Sequence, residues 1–220
     1  MSLNKTYSSF SISLVVMIST ACLCLTGCGR SETKTSKPEK VVIATSGSDT
    51  MVNLAQMWAE EYQKVNPAVT VEVAGGGSGV GIRDLIQGVI TIANASRDME
   101  SAEKEQAKQK TGKDPVEFVV AYDALAIYAS TKNPIDTISL EELADIYVEN
   151  GPIDKWSQLG IDMKALGAND EIVRVSRQNS SGTYAYFREK VLHKKDFKMG
   201  SKDMSGSKDV VELVTKLCVC

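Results

Sequence analysis

Three stretches of this chain place small hydroxyl residues and glycine between a β-type run and a helical pattern. They are Ser46-Gly47-Ser48-Asp49-Thr50, Gly77-Ser78-Gly79 and Ser180-Ser181-Gly182-Thr183. The first turn of a helix leaves backbone N–H groups without intrahelical partners and carries partial positive charge. Glycine lets a small anion approach the backbone closely, and Ser and Thr add hydroxyl donors beside the amides. Each stretch alone is also an ordinary helix cap. Three in one chain, with arginines close by in sequence, point to the binding of an oxyanion.

The arginines are Arg97, after Ala93-Asn94-Ala95-Ser96, and Arg177, after Val175-Ser176. Both stand at the ends of strand patterns, where ligands gather in open α/β sheets. A guanidinium offers a planar fork of donors suited to an oxyanion. The competing role for either is a surface ion pair, with Asp98 or Asp123 as a nearby carboxylate.

The elements that must position these groups follow from periodicity. Val41-Val42-Ile43-Ala44 is a β-type run, and Leu54, Met57, Trp58, Tyr62 and Val65 recur at helical spacing until Asn66-Pro67. Residues 69–73 alternate as a strand, a glycine loop spans 75–81, and Ile82, Leu85 and Ile86 open a second helix. Further strands are expected over 90–95, 118–130 and 172–175, and helices over 101–112 and 184–192. Ser139 with Glu142 forms a capping box for another helix. Strand, loop and helix alternate repeatedly, which predicts an α/β fold with mainly parallel sheets.

Composition excludes other chemistries. The net charge of -3 comes with no basic stripe, so no nucleic-acid partner is expected. The 75–81 loop lacks the Gly-Lys-Ser/Thr ending of a phosphate-cradling P-loop. The one histidine, His193, sits in a basic stretch and assembles with no nucleophile and third partner. Neither a metal nor a cofactor is expected, and an enzyme such as a phosphatase or nucleotide-binding transferase is disfavoured. The closely spaced Cys218 and Cys220 form neither an easy disulfide nor, with His193, a metal set.

Taken in order, Gly47-Ser48-Asp49-Thr50-Met51, the 75–81 loop, Ala95-Ser96-Arg97 and Arg177-Gln178-Asn179-Ser180-Ser181-Gly182-Thr183 closely resemble the phosphate-binding proteins of ABC-type phosphate uptake systems. Tyr122-Asp123-Ala124-Leu125-Ala126, the 140–147 stretch and Lys155-Trp156 are similar to that family too. The resemblance spans 41 to about 214, and the Arg-x-x-x-Ser-Gly-Thr segment is its most specific part. It implies a two-lobed fold of the type II periplasmic-binding-protein kind, with 41–121 in the first lobe and 122–220 in the second. It implies inorganic phosphate as ligand and a membrane ABC permease as partner, with sulfate or molybdate as the alternative oxyanions. Thr50, Ser78 and Gly79 would contact the ligand from one lobe, and Arg177, Ser181, Gly182 and Thr183 from the other. Ser48 belongs to this set too, although a small alignment shift exchanges it with Asp49 or Thr50. Arg97 replaces an aspartate found in one branch and is expected as a direct contact. The acceptor of the HPO₄²⁻ proton is then Asp49 or Asp98. Such an acceptor matters because sulfate has no proton to donate to it.

The N-terminus reads as an export signal over 1–28, ending in the lipobox Leu25-Thr26-Gly27-Cys28, with Cys28 as the lipidated residue. Residues 29–40 are polar and read as a flexible tether. The expected location is the outer face of the cell membrane, lipid-anchored. Members of the resembled family continue past residue 214 to complete the first lobe, whereas this chain ends Lys216-Leu217-Cys218-Val219-Cys220. The resemblance therefore implies a product missing the C-terminal part of the fold, less stable than a full member, with weak phosphate binding or none, down to a nonfunctional remnant.

Overall fold

The computed structural model describes residues 40–217, so the signal, Cys28 and almost all of the tether lie outside the described residues, as do Cys218 and Cys220. The first half is built on a parallel sheet. Strand β1 (Val41–Gly47) lies in the middle, flanked by β2 (Val69–Gly76) and β3 (Ile92–Asn94). Val41 pairs with Val69 and Thr45 with Val73, and the register shifts between Ser46 and Gly47. Parallel neighbours need a crossover, here supplied by α1 (Val52–Val65) and α2 (Ser78–Gln87). Helix α3 (Ser101–Thr111) packs on α2, and Ile82, Ile86 and Ala107 form the core with Ala95 and Met99.

The second half begins with α4 (Leu140–Tyr147), whose expected capping box is present: Glu142 N–H donates to Ser139 Oγ at 3.1 Å, and Ser139 N–H to Glu142 Oε2 at 2.8 Å. Strand β4 (Val175–Arg177) pairs in parallel with β5 (Lys202–Met204), and α5 (Gly182–Lys190) and α6 (Ser207–Lys216) follow these strands. Leu143, Phe187, Val191 and Leu192 form this core. Tyr184 stacks on Phe197 with centroids 4.3 Å apart, and Tyr147 meets Phe187 edge-on at 5.1 Å.

The α/β class and the parallel pairing of the strands match the sequence reading. Several elements differ. The loop expected over 75–81 is taken up by its neighbours: β2 runs on to Gly76 and α2 already starts at Ser78. The strand expected over 172–175 forms instead at Val175–Arg177. Ile172 N–H is taken by Asp154 O, and Glu171 bridges to Lys155, so those residues are held outside the β4–β5 ladder. Helix α5 starts at Gly182 rather than 184, because Ser181 caps it. The strand expected over 118–130 is absent: the apolar pattern is there, but among the described residues no backbone segment pairs with it. A strand is defined by its ladder, and pattern alone cannot supply a partner.

Candidate functional site

The ends of β1, β2 and β3 converge because Gly47 allows it. Its φ is 141°, and any Cβ there would collide with the backbone oxygen of Asn94. That approach lets Ser48 N–H donate to Asn94 O at 2.8 Å. Ser48, only 2% exposed, then faces the residue just beyond β3: its hydroxyl donates to Ser96 Oγ at 3.0 Å and lies 2.9 Å from Thr50 Oγ1. Helix α1 begins at Val52, two residues after this motif, and the carbonyls of Ser48 and Asp49 accept the Met51 and Val52 amides.

Helix α2 opens directly on the same hydroxyls. Gly77 (φ 96°) donates its N–H to Gly47 O at 2.8 Å, and Ser78 follows with no exposed surface. Ser78 Oγ accepts Ser96 N–H at 3.0 Å and lies 3.1 Å from Ser96 Oγ. Ser48, Thr50, Ser78 and Ser96 thus share one chain of hydroxyl contacts. Each hydroxyl carries a single proton that can swing to a better acceptor.

The start of α5 closes on this group from the second half. Ser181 Oγ accepts the amides of Thr183 and Tyr184 at 3.1 and 3.4 Å, fixing the first turn. A Cβ on Gly182 would strike Ser96 Oγ and come within 2.7 Å of Ser78 Oγ, so only glycine fits. Gly79 N–H donates to Ser180 O at 2.8 Å, and Ser180 Oγ and Gln178 Nε2 donate to Gly76 O at 3.1 and 3.3 Å. The starts of α2 and α5 therefore meet with the hydroxyl group at their junction.

Arg177, 5% exposed, ends β4. It donates to Met204 O (Nε, 3.3 Å), Ser205 O (2.7 Å) and Ser207 Oγ (3.0 Å), and pairs with Asp49 Oδ2 at 3.1 Å. Burial pulls its guanidinium below the usual arginine range, while Asp49 and Asp209 oppose that. It stays charged all the same. The other oxygen of Asp49 accepts Gly76 N–H at 2.9 Å.

Ser48, Thr50, Asp49, Ser78, Gly79, Arg177, Ser181, Gly182 and Thr183 are brought to one junction or one bond away from it. Arg97 is used differently. Its two terminal nitrogens grip Glu103 at 2.8 and 2.7 Å, and one also donates to Asp98 O at 2.8 Å. The partner is a carboxylate from the first turn of α3, rather than the side chain of Asp98 or Asp123. Asp98 itself is exposed, which leaves Asp49 as the carboxylate at the junction. Two residues here were not singled out from sequence. Ser96 was legible as the last residue of a strand pattern and as part of the Ala95-Ser96-Arg97 motif, without a contact of its own. Ser207 sits in Ser205-Gly206-Ser207, a fourth hydroxyl-glycine stretch between a strand and a helix, and so repeats a signal already used three times.

The chain belongs to the PBP superfamily domain family, whose model matches residues 32–215. It is 32% identical over 180 residues to the phosphate-binding protein PstS of Pseudomonas aeruginosa, covering 79% of this chain and 55% of that one. It is 33% identical over 183 residues to the phosphate-binding protein PstS of Borreliella burgdorferi, covering 83% and 57%. Among solved structures it superposes with TM-score 0.64 and 31% identity on a phosphate ABC transporter substrate-binding protein of Clostridium perfringens crystallised with phosphate, covering 79% of this chain and 65% of that one. An ABC-type phosphate transport receptor of Vibrio cholerae gives TM-score 0.56 at 29% identity. The chain spans about half the length of the curated relatives it matches.

Proposed function

We propose that this chain captures inorganic phosphate outside the cell and presents it to a membrane ABC permease, without chemistry of its own. The observation that carries this reading is the junction of α2 and α5, where the hydroxyls of Ser48, Thr50, Ser78 and Ser96 adjoin two helix starts while Arg177 reaches across to Asp49. Residues 41–121 and 122–220 act as the two lobes. An arriving dianion offers the four hydroxyls a stronger acceptor than one another, since bonds to charged acceptors are roughly twice as strong as neutral ones. Arg177 supplies the opposing charge. Asp49 accepts the proton of HPO₄²⁻, and a sulfate there leaves two acceptors facing each other. The names of the relatives support phosphate over molybdate or tungstate.

Equilibrium binding of radiolabelled phosphate to the purified protein, with sulfate and molybdate as competitors, tests this. Label retained in excess sulfate is the expected result; equal displacement by sulfate overturns the assignment. Export and anchoring form part of the proposal, with Cys28 carrying the lipid. Cys28→Ser abolishes palmitate incorporation, because a hydroxyl does not replace the thiol; persistence of the label removes this anchor.

A further inference from the structure

The turn between β5 and α6 lies beside the hydroxyl cluster, and Arg177 gives most of its bonds to it. Nε donates to Met204 O at 3.3 Å, one terminal nitrogen to Ser207 Oγ at 3.0 Å, and the other to Ser205 O at 2.7 Å and to Asp49 at 3.1 Å. A guanidinium is a rigid planar fork, so acceptors along its length set both its plane and its reach. Those acceptors are poorly held by their own surroundings: Ser205 and Ser207 are exposed, and β5 ends at Met204. What pins the turn is Asp209, in the first turn of α6. One of its oxygens, Oδ2, accepts the Ser205 hydroxyl at 2.8 Å and Gly206 N–H at 3.0 Å. The Ser205 hydroxyl first and the Gly206 amide second hold the Asp209 carboxyl below the usual aspartate range, and the Arg177 charge adds to them. An acid near a helix start that bonds back to the cap amide is ordinary capping. The bond to Ser205 goes further, because the carbonyl of that same residue accepts Arg177.

We infer that Asp209 is a positioning residue for the oxyanion site: it fixes the turn at residues 205–207, and the turn aims Arg177. This rests on the reading above, in which Arg177 supplies the charge that meets phosphate. Without the bonds from Asp209 the turn keeps its carbonyl and hydroxyl but loses their placement. The Arg177 fork then samples other orientations, and only the fraction aimed at the junction of α2 and α5 holds the anion. Apparent affinity falls with that fraction. Asp209 acts through geometry rather than through charge, so an uncharged side chain of the same shape serves. Asp209→Asn keeps an oxygen for Ser205 and Gly206, whereas Asp209→Ala removes it.

The test has one arm without ligand and one with inorganic phosphate, both on the whole chain. In the first, the Arg177 Nε–H resonance is assigned by its loss in Arg177→Ala, and its exchange with water is measured. Exchange speeds up by at least about tenfold in Asp209→Ala and stays near the parent rate in Asp209→Asn, because that proton is bonded only while the turn is in place. Ser205→Ala, which cuts only the hydroxyl end of the tether, speeds exchange to a lesser degree and serves if Asp209→Ala does not fold. In the second arm, phosphate affinity falls about three- to tenfold in Asp209→Ala and less than about twofold in Asp209→Asn. In an Arg177→Ala background, Asp209→Ala has no further effect on affinity, because the two residues act as a unit. Unchanged Nε–H exchange in both Asp209→Ala and Ser205→Ala overturns the inference. So does an equal loss of affinity with and without Arg177, which makes Asp209 a helix cap alone. Equal losses in the Asn and Ala variants assign the effect to charge and overturn it as well. A parent that binds no phosphate removes the functional reading, while the ligand-free arm still decides whether Asp209 aims Arg177.

Discussion

At the end of β3, Arg97 turns onto the first turn of α3 and is gripped by both oxygens of Glu103; at the end of β4, Arg177 turns inward and finds two carbonyls, one hydroxyl and a single oxygen of Asp49. The two regions share a sequence design, a short strand followed by a serine-containing turn with arginine at the strand end. What separates them is the supply of carboxylate. A bidentate fork satisfies the guanidinium's charge and its geometry together. Carbonyls and hydroxyls accept its protons without cancelling the charge, and Asp49 meets Arg177 through one oxygen only, its other oxygen accepting Gly76 N–H. The lesson is that an arginine at a strand end is a ligand candidate only when the helix that follows does not offer it a carboxylate within its first turn.

The largest expected effect falls on Arg177. Arg177→Ala removes a buried charge-assisted contact worth about 1.5–3 kcal/mol and lowers phosphate affinity by about one to two orders of magnitude. Calorimetry beside Lys195→Ala, an exposed cation, measures the difference. Comparable losses in the two would erase the distinction between the regions.

Next comes Gly182→Ala, which forces a methyl into the hydroxyls of Ser96 and Ser78 and costs about 1–3 kcal/mol of overpacking. Thermal melting and phosphate titration of the same variant should both deteriorate. An unchanged melting temperature would mean that α5 does not press on the cluster.

Ser96→Ala sharpens the comparison from the other side of Arg97. It deletes the hydroxyl that joins Ser48 to Ser78, at about 0.5–1.5 kcal/mol. If the chain of hydroxyls holds the anion, affinity falls several-fold while Arg97→Gln, one residue on, leaves it nearly unchanged. A larger effect from Arg97→Gln would return that arginine to the site.

The smallest effect is on stability at Arg97. Bonds from Arg97 hold the Glu103 carboxyl below the usual glutamate range, and Arg97 is raised in turn. A depressed carboxyl contributes stability that is full above its unfolded value, 4.5, and is lost as pH falls through its folded value. The pair is about one-fifth exposed, and such pairs are worth roughly 0.2–1 kcal/mol. Arg97→Gln should therefore lower the melting temperature slightly at neutral pH, with the gap to the parent closing in acid. A gap that widens in acid would contradict the pairing.

How much of this could be read from the residues depended on whether the determinant was local. Ser139 and Glu142 stand three apart, so their capping box was legible; the glycines at 47 and 77 were expected to admit an anion, and the structure brings the backbones of Asn94 and Ser180 against them. The Ser181-Gly182-Thr183 stretch likewise announced a helix start, because an N-cap and its amides are sequence neighbours. Ser96 gave no such signal: its partners are Ser48, 48 residues earlier, and Ser78, 18 residues earlier, and only the parallel ordering β2-β1-β3 brings them together.

By itself, the sequence determined the alternation of strand and helix, the glycine-hydroxyl turns and the presence of arginines at strand ends, since periodicity and capping act within a few residues. Tertiary structure decided which arginine is gripped by both oxygens of one carboxylate, which is shared among carbonyls, a hydroxyl and one oxygen of Asp49, and that residues 118–130 form no strand. Each of those outcomes depends on a partner distant in the chain. A guanidinium goes to the carboxylate that packing puts within reach, and a β-prone run becomes a strand only where another backbone lies alongside it.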